Sequence, residues 1–392
     1  MIPVEALQDI RTILVHGYPD SACADGLASA LILRDAFPDA EVRFLVHGTP
    51  EYAALAASPG QIFCDVTPPE IRVSEFVDAG AIVLDHHKSA RHVVEAFGEK
   101  GVYASPEEDP GVSGALLAHR VWVQVKRTSN SRLPDGWDHE GWSQLAELEE
   151  FIFYFASLIG VRDTWQKDSP LWGAACRLSA TLLFFPPDDW LANNLEINKT
   201  LLAAKINAVG YELIRKRDAD ARKLADAAYR FVTPAGTRVA VVSSCHVSDA
   251  ADLLLTEAKT SASLKVRSAD TLVGSDAADL LAESSDLVVG FAYTVELQPS
   301  NERPRVAGRG PREAGGESEA LVSEWRLPRL RLSFRSRGKF DCSEIARMLG
   351  GGGHAGAAGA TVTARPDSLQ PYAEAVRIVE LFEEIRQEIG EP

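Results

Sequence analysis

Histidine and aspartate residues recur close to the ends of short apolar segments in the first half of the chain. Carboxylate oxygens and imidazole nitrogens are the ligands that suit divalent ions such as Mn²⁺, Mg²⁺ and Zn²⁺. Residues of these types, brought together by folding, would therefore form a metal site. In chain order they are His16, Asp20, Asp25, Asp65, Asp85, His86, His87 and Asp163.

Each of these residues also has a simpler interpretation. An aspartate after a strand is most often a turn or helix-capping residue. A single histidine at a strand end is more often a packed, hydrogen-bonded side chain than a ligand, and the run Asp85–His87 fits a solvated turn. The order of the groups favours the metal site, because such groups would rarely coincide at several strand ends by chance.

The segments that precede these residues have the pattern of buried strands. Apolar runs at 12–15, 42–46, 61–64 and 81–84 are separated by stretches with the apolar spacing of helices. Strands separated by helices need crossover connections, so they form a parallel sheet. Ligands of such sheets bind beyond the carboxyl ends of the strands. The pattern therefore predicts an α/β fold with the polar residues gathered at that edge.

The chain has 392 residues, which is long enough for two or three domains. We expect a metal-binding catalytic domain over 1–190 and a smaller α/β domain over 231–392. Between them, 191–230 contains only Gly210 as a breaker and no proline, which predicts a helical linker. The stretch 298–319 is rich in proline, glycine and charged residues, and we expect a mobile insertion there.

Glycine and arginine residues near the C-terminus point to anion binding. Consecutive glycines let backbone N–H groups approach an anion, and the histidine after them adds a donor. Arg335 and Arg337 alternate with serine on a predicted strand, so both side chains face one side and suit a phosphate. The simpler interpretation is a glycine-rich turn that ends a helix, with solvated arginines. The residues of the turn are Gly351, Gly352, Gly353 and His354.

The composition restricts the partners and the location of the protein. Aspartate and glutamate number 56 against 40 lysines and arginines, for a net charge of −16. Binding along a long duplex needs clustered basic residues, so we expect small phosphorylated substrates instead. No apolar run approaches the roughly 18 residues of a membrane span, and the first residues lack the pattern of a signal or transit peptide. Five scattered cysteines without a CxxC pair favour a reducing cytoplasm.

Taken in order, the motifs resemble those of the DHH phosphoesterase superfamily, which is named after its Asp-His-His motif. The run Asp85–His87 matches that motif, and the other histidine and aspartate groups follow the family's order. The run Gly351–His354 resembles the GGGH motif of the DHH-associated C-terminal domain. The resemblance covers roughly 10–190 and 231–365. It implies an N-terminal parallel-sheet domain, a helical linker and a smaller C-terminal α/β domain.

The resemblance also implies a role for each residue. One or two divalent ions, usually Mn²⁺ and alternatively Mg²⁺ or another metal, would be bridged by Asp65 when both are present. His87 would orient its neighbours or approach the scissile phosphate, with Asp85 supporting it. The implied metal ligands are His16, Asp25, Asp65, His86 and Asp163. The implied substrate-binding residues are Arg335, Arg337, Gly351, Gly352, Gly353 and His354.

By the same resemblance, the chain is a metal-dependent phosphodiesterase similar to nanoRNase and oligoribonuclease-like phosphohydrolases. It would cleave short oligonucleotides or dinucleotides with a metal-activated water. Cyclic-dinucleotide phosphodiesterase, phosphomonoesterase and exopolyphosphatase activities are the alternatives within this class. A nucleotide-binding sensor with little turnover is the alternative outside it. Similar proteins are often homodimers, and we carry that expectation to this chain.

One position departs from the family pattern. The first motif commonly has two aspartates two residues apart. Asp25 matches the second of them, whereas Cys23 occupies the position of the first. Three alternatives remain open from the sequence. Asp20 replaces the missing ligand, Cys23 binds the metal as a thiolate, or one of the two metal sites is weak.

Overall fold

The structure is a computed structural model. No helix in the part of the chain that it describes combines the length and the apolarity that a membrane span requires. The predicted insertion at 298–319 lies outside the described residues. The described residues are 2–18, 21–47, 49–130, 139–233, 236–243, 248–256, 285–294, 329–336, 340–363 and 377–384.

The first half of the chain folds around a six-stranded sheet. Its strands are β1 (Thr12–Tyr18), β2 (Ser21–Ala22), β3 (Glu41–Leu45), β4 (Gln61–Cys64), β5 (Ile82–Asp85) and β6 (Gly101–Tyr103). Five strands run parallel in the order β3-β1-β4-β5-β6, and the short β2 pairs antiparallel with the end of β1. The prediction of an α/β fold with a parallel sheet is therefore confirmed.

Helices cover both faces of this sheet. They are α1 (Ala24–Ala36), α2 (Pro50–Ala53), α3 (Val73–Asp78), α4 (Arg91–Glu95), α5 (Gly114–Asn130), α6 (His139–Asp163), α7 (Trp172–Phe184) and α8 (Pro187–Leu191). Because successive strand residues point to opposite faces, Ile13 packs into the core shared with α1, α5 and α6, and Leu14 packs against α2, α3 and α4. Each fully buried aliphatic side chain contributes about 1.5–3 kcal/mol. This two-sided burial fixes the strands, and thereby the residues at their carboxyl ends.

A nearly continuous helix follows. It consists of α9 (Leu195–Lys205), a π-helical turn over Ile206–Gly210, and α10 (Tyr211–Ala227). The side chain of Asn194 caps α9 by accepting the N–H of Ile197 at 2.9 Å. The π-helical turn marks a local irregularity in the helix and ends at the single glycine of the segment.

The last part of the chain forms a second six-stranded sheet. Its strands are β7 (Tyr229–Val232), β8 (Arg238–Val242), β9 (Leu287–Thr294), β10 (Arg329–Ser336), β11 (Gly352–His354) and β12 (Ala357–Thr363). They follow the order β11-β12-β10-β9-β8-β7, and only β8 and β9 run parallel. The helices α11 (Ser248–Thr256) and α12 (Cys342–Met348) and a helical segment at 377–384 pack on this mixed sheet.

Candidate metal centre

Five of the predicted metal ligands converge at the carboxyl edge of the parallel sheet, with His86 at their centre. Its Nε2 atom lies 3.2 Å from Asp65 Oδ1 and 3.4 Å from Asp25 Oδ2. The same nitrogen lies 3.7 Å from Asp163 Oδ2. His16 Nδ1 lies 3.7 Å from the other oxygen of Asp65. Three carboxylates and two imidazoles that are far apart in the sequence therefore share one small volume.

Asp25 is held in place by the start of a neighbouring helix. It lies in the first turn of α1, and its carboxylate accepts the N–H groups of Gly114 at 2.6 Å and Ala115 at 2.8 Å. These two residues begin α5, whose N-terminus favours a negative charge. A β-carbon at Gly114 would lie 2.7 Å from the Cβ of Asp65. Only glycine at this position lets α5 approach both aspartates so closely.

Asp65 follows β4 with a left-handed backbone conformation, at φ 61°. Aspartate tolerates this region better than most residues, and backbone strain of this kind clusters at functional sites. The backbone N–H of Asp65 donates to the carbonyl of Leu84 at 3.1 Å, which anchors the turn to β5. As a result, one oxygen of Asp65 faces His86 and the other faces His16.

The last residue of β5 orients the histidine two positions after it. Asp85 Oδ1 accepts the backbone N–H of His87 at 2.8 Å and lies 2.7 Å from its ring nitrogen Nδ1. Asp85 is buried, whereas the side chain of His87 is 24% exposed. The carboxylate therefore fixes the ring, with Nδ1 of His87 directed to Asp85.

The charges of this cluster shift its proton affinities. Burial opposes the charged form of Asp65, but hydrogen bonds from His16 and His86 hold the pKa of its carboxyl below the usual range. Burial likewise opposes the charged form of His86, yet Asp25 and Asp65 raise the pKa of its ring well above the usual value. Burial and the charge of Asp25 raise the pKa of Asp163 to about 6, although 29% of that side chain is exposed. The carboxylates thus favour positive charge at the centre of the cluster.

The donor atoms form two sets that fit divalent ions. Asp25, His86 and Asp163 offer two oxygens and a nitrogen within 4.8 Å of one another. His16, Cys23 and Asp65 offer a nitrogen, a sulfur and an oxygen within the same distance. Three protein ligands leave coordination positions open, as in catalytic metal sites.

Residues of the second sheet reach the same place. The ring of His354 stacks on His87 with 4.5 Å between centroids and lies 4.9 Å from the ring of His86. Burial and the charge of His87 lower the pKa of His354 well below the usual value, so its ring is neutral. Nε2 of His354 and Nδ1 of His86 are buried and have no hydrogen-bond partner among the described residues. Buried, unsatisfied polar atoms of this kind are typical of a site that is completed by a ligand or an ion.

The glycine run packs against both halves of the molecule. Gly352 and Gly353 lie in β11, and Gly351 precedes them. The N–H of Gly353 donates to Ser89 Oγ at 3.0 Å, and that hydroxyl lies 3.2 Å from the carbonyl of Gly353. The N–H of Gly353, which belongs to the predicted anion-binding run, is therefore already bound to Ser89, two residues after the Asp-His-His run.

Arg335 lies on β10, near this cluster but not within it. Its guanidinium donates to Ser248 Oγ at 3.0 Å and to the carbonyl of Phe334 at 2.8 Å, and its charge contributes to the low pKa of His354. Two predicted site residues, Asp20 and Arg337, lie outside the described residues.

Three residues near the site were missed by sequence reasoning. The sequence indicates Gly114 only as a glycine at the start of a helix. Ser89 has no signal, because its role depends on a contact with the second sheet. His47 follows β3, the strand on the far side of β1. Desolvation beside the ligand cluster and the charge of His16 lower the pKa of His47 to about 4, although the residue is exposed. A polar residue after a parallel strand was a usable signal for His47.

The family comparison bears on the C-terminal part of the chain. The model of the DHHA1 domain matches residues 315–389, which include the glycine run and His354. The match confirms the resemblance of this stretch to the DHH-associated C-terminal domain.

Solved structures of low sequence identity align with most of this chain. An exopolyphosphatase-related protein from Bacteroides fragilis is 12% identical, with a TM-score of 0.38 over 98% of this chain and 95% of that chain. The pGpG-specific phosphodiesterase PggH from Vibrio cholerae is 13% identical, with a TM-score of 0.28 over 94% of this chain and 98% of that chain. An uncharacterized protein from Helicobacter pylori is 14% identical, with a TM-score of 0.34 over 95% of this chain and 98% of that chain. No curated protein matches the chain in sequence at a significant level.

Proposed function

We propose that this protein is a metal-dependent phosphodiesterase of the DHH superfamily that hydrolyses short oligonucleotides or dinucleotides. The proposal rests on a contact between the C-terminal glycine run with its histidine and the predicted metal-ligand cluster. The ring of His354, next to the glycine run, lies against His86 and His87 at the ligand cluster. A phosphate bound by the glycine run and His354 would therefore be presented directly to the metal ligands.

The two ligand sets support a divalent ion at each of two positions. We propose Mn²⁺, with Mg²⁺ as a substitute, held by Asp25, His86 and Asp163, and a second divalent ion held by Asp65 with His16. When bound, such ions stabilise charge on phosphoryl oxygens and lower the pKa of water, which supplies the attacking group. No side chain of the protein needs to act as a nucleophile.

The protein's own residues position the reaction. The N–H groups at the start of α5 hold Asp25, and the strained turn after β4 directs the two oxygens of Asp65 to different neighbours. Asp85 fixes the ring of His87, so that Nε2 of His87 is placed to donate to or accept from the phosphate. In this scheme His87 contacts the substrate and Asp85 acts through His87.

The charge of the molecule favours a small substrate. With a net charge of −16, the protein repels a long polyanion. The contacts that join Ser89 with Gly353 and Lys88 with Asp341 also bring the two halves close together beside the ligand cluster. A dinucleotide or short oligonucleotide carries few phosphates and needs only the local donors of this cleft.

A hydrolysis panel tests the proposed substrate class. Purified protein with Mn²⁺ is incubated with linear di- to decanucleotides, cyclic dinucleotides, a phosphate monoester and inorganic polyphosphate. We expect mononucleotides to be released fastest from the shortest linear substrates. Fastest turnover of a cyclic dinucleotide, the monoester or polyphosphate would replace this substrate class by the corresponding alternative within the family.

A nucleotide-binding sensor is the second candidate function. The observation that favours it is Cys23, because a thiol stands where the family commonly has a carboxylate ligand. A sensor of this kind binds dinucleotides tightly without forming product under any divalent metal. Binding measured by calorimetry, together with the hydrolysis panel, separates the two functions.

A further inference from the structure

The thiol of Cys23 faces the ligand cluster. Its Sγ atom lies 3.6 Å from Asp65 Oδ2, the same oxygen that lies 3.7 Å from His16 Nδ1. The three donor atoms lie within 4.8 Å of one another, as the donors around a single ion do. The cluster thus contains a nitrogen, a sulfur and an oxygen that converge on one point.

Asp65 divides the cluster into two chemically different halves. Its Oδ1 lies 3.2 Å from His86, which belongs to the set with Asp25 and Asp163. Its Oδ2 faces His16 and Cys23. One half therefore offers oxygens and a nitrogen, which suit Mn²⁺ or Mg²⁺, and the other adds a sulfur, which suits softer ions such as Zn²⁺.

Helix capping alone does not account for the cysteine. Cys23 is the N-cap residue of α1, and its sulfur accepts the N–H of Gly26 at 3.5 Å. Sulfur is a weak acceptor, and serine, threonine, aspartate or asparagine cap helices better. Cysteine is thus a weak N-cap, whereas its thiolate is a good ligand for a softer ion.

We propose that His16, Cys23 and Asp65 form a thiolate-containing cation site that binds a borderline ion such as Zn²⁺ or Co²⁺ in preference to Mn²⁺ and Mg²⁺. The inference rests on the proposed metal centre and makes that centre asymmetric, with one hard and one softer position. On binding, the sulfur–metal bond forms and the thiol proton passes to solvent. Three protein ligands leave a fourth position open for water or a phosphate oxygen.

Cobalt absorption spectroscopy tests the site without relying on activity. The metal-free protein is titrated with Co²⁺, and bound cobalt is counted by elemental analysis. We expect a near-ultraviolet thiolate-to-cobalt charge-transfer band in the wild-type protein. Cys23→Ser should lose the band and still bind cobalt at the other ligand set. Cys64→Ala is the matched control and should keep the band, because the Cys64 thiol donates to the carbonyl of Gly114 instead.

Metal competition gives a second measurement on a variant that keeps its fold. Cys23→Asp restores the carboxylate of the family pattern, and aspartate is a good N-cap, so α1 should start as before. We expect the preference for Zn²⁺ over Mn²⁺ at this site to fall at least about tenfold in Cys23→Asp, the scale on which altered metal surroundings change affinity.

The outcomes separate this inference from the proposed function. Bound cobalt without a charge-transfer band in the wild-type protein, or a band that persists in Cys23→Ser, overturns the thiolate site and leaves the phosphodiesterase proposal standing. Failure of the wild-type protein to bind any divalent ion overturns both. An unchanged Zn²⁺ to Mn²⁺ preference in Cys23→Asp also contradicts the thiolate site.

Discussion

At the scale of single residues, charge repulsion and metal binding oppose each other in this site. Asp25, Asp65 and Asp163 crowd around Nε2 of His86, and the imidazole is the only group among the four that compensates their charge. Without a metal ion, the carboxylates destabilise one another, and the raised pKa of Asp163 reports that effect. A divalent ion turns the same repulsion into coordination.

Asp163→Asn should therefore change stability in opposite directions with and without metal. The folded state binds a proton at Asp163 more tightly than the unfolded state, because burial and Asp25 raise its pKa from 3.8 to about 6. The ionised carboxyl consequently destabilises the metal-free protein above pH 6, by about 1–2 kcal/mol after solvent screening of this partly exposed group reduces the full effect of the shift. The asparagine should raise the melting temperature of the chelated protein at pH 7.5. It should also shrink the increase in melting temperature that Mn²⁺ produces.

The pH dependence provides the control for this prediction. The difference between the metal-free proteins should fade as the pH drops below the unfolded pKa of 3.8, where the carboxyl is protonated in both states. Asp168→Asn changes an exposed aspartate close by in the sequence. It should leave the melting temperature unchanged both in the chelated protein and with Mn²⁺. A chelated Asp163→Asn protein that melts below the wild type would show that repulsion at Asp163 has been overestimated.

At the scale of elements, the turn after β5 and the strand β11 meet beside the ligand cluster. Ser89 makes both a donor and an acceptor contact with the peptide of Gly353. A β-carbon on Gly352 would lie 2.8 Å from the hydroxyl oxygen of Ser89 but 3.5 Å from its Cβ. The fit between these elements therefore depends on the absence of a side chain at Gly352 and on the hydroxyl of Ser89.

A double-mutant cycle tests this contact. Gly352→Ala should weaken the packing of β11 on Ser89 and raise the KM for a dinucleotide, since the glycine run is displaced. Ser89→Ala should cost about 1 kcal/mol through its lost hydrogen bonds. The double variant should be less damaged than the sum of the two, by about 1 kcal/mol in unfolding free energy. Strictly additive costs would mean that Gly352 and Ser89 do not compete for the same space.

A second set of contacts ties the two halves together next to Asp163. Asp249 on α11 accepts from Arg162 on α6 at 3.4 Å and lies 3.2 Å from Nε of Arg217 on α10. The guanidinium of Arg162 also lies 4.1 Å from the centroid of Trp165. Because Arg162 immediately precedes Asp163, this junction joins the ligand cluster to the second sheet.

Asp249→Ala should loosen that junction. It leaves two largely buried guanidinium groups without their shared carboxylate, so we expect a loss of about 1–3 kcal/mol in unfolding free energy. Chemical denaturation measures the loss. Asp220→Ala provides the comparison, because its ion pair with Lys223 is exposed and should change stability by less than about 0.5 kcal/mol. Equal effects of the two substitutions would show that the contacts of Asp249 stabilise the protein no more than an exposed ion pair does.

At the scale of the whole molecule, the sequence predicts the parallel sheet because its strands are apolar runs with polar residues directly after them. The segment 61–64 forms β4 with the predicted bounds. Strand β6 escapes detection because it has only three residues, Gly101–Tyr103. The left-handed conformation of Trp165 and the glycine at Gly114 also escape, since both depend on neighbours distant in the chain.

The junctions between the two halves are beyond sequence patterns for the same reason. Lys88 and Asp341 form an ion pair at 2.6 Å although 253 positions separate them. Local periodicity contains no information on such pairs. The orientation of Cys23 is similar: the sequence leaves three alternatives for the missing aspartate, and the proposed thiolate site rests on the convergence of its sulfur with His16 and Asp65.

The acidity of the chain has two consequences at this scale. Most of the 56 acidic residues repel long polyanions, whereas those at the carboxyl edge of the parallel sheet are positioned to hold cations. Bound cations reverse the local sign and attract phosphate. The charge distribution of the whole molecule is therefore consistent with the proposed short phosphorylated substrates.

The central claim, metal-dependent cleavage of a short phosphodiester, is tested most directly by the rate of mononucleotide release from a 5′-phosphorylated dinucleotide. The rate is measured for wild type and for Asp65→Asn, because asparagine tolerates the left-handed backbone at this position and removes only the charge. We predict release by the wild type that requires Mn²⁺ and stops on chelation, and a fall of at least about 100-fold in Asp65→Asn. Release that survives chelation, or equal rates in the folded Asp65→Asn protein, would contradict the account.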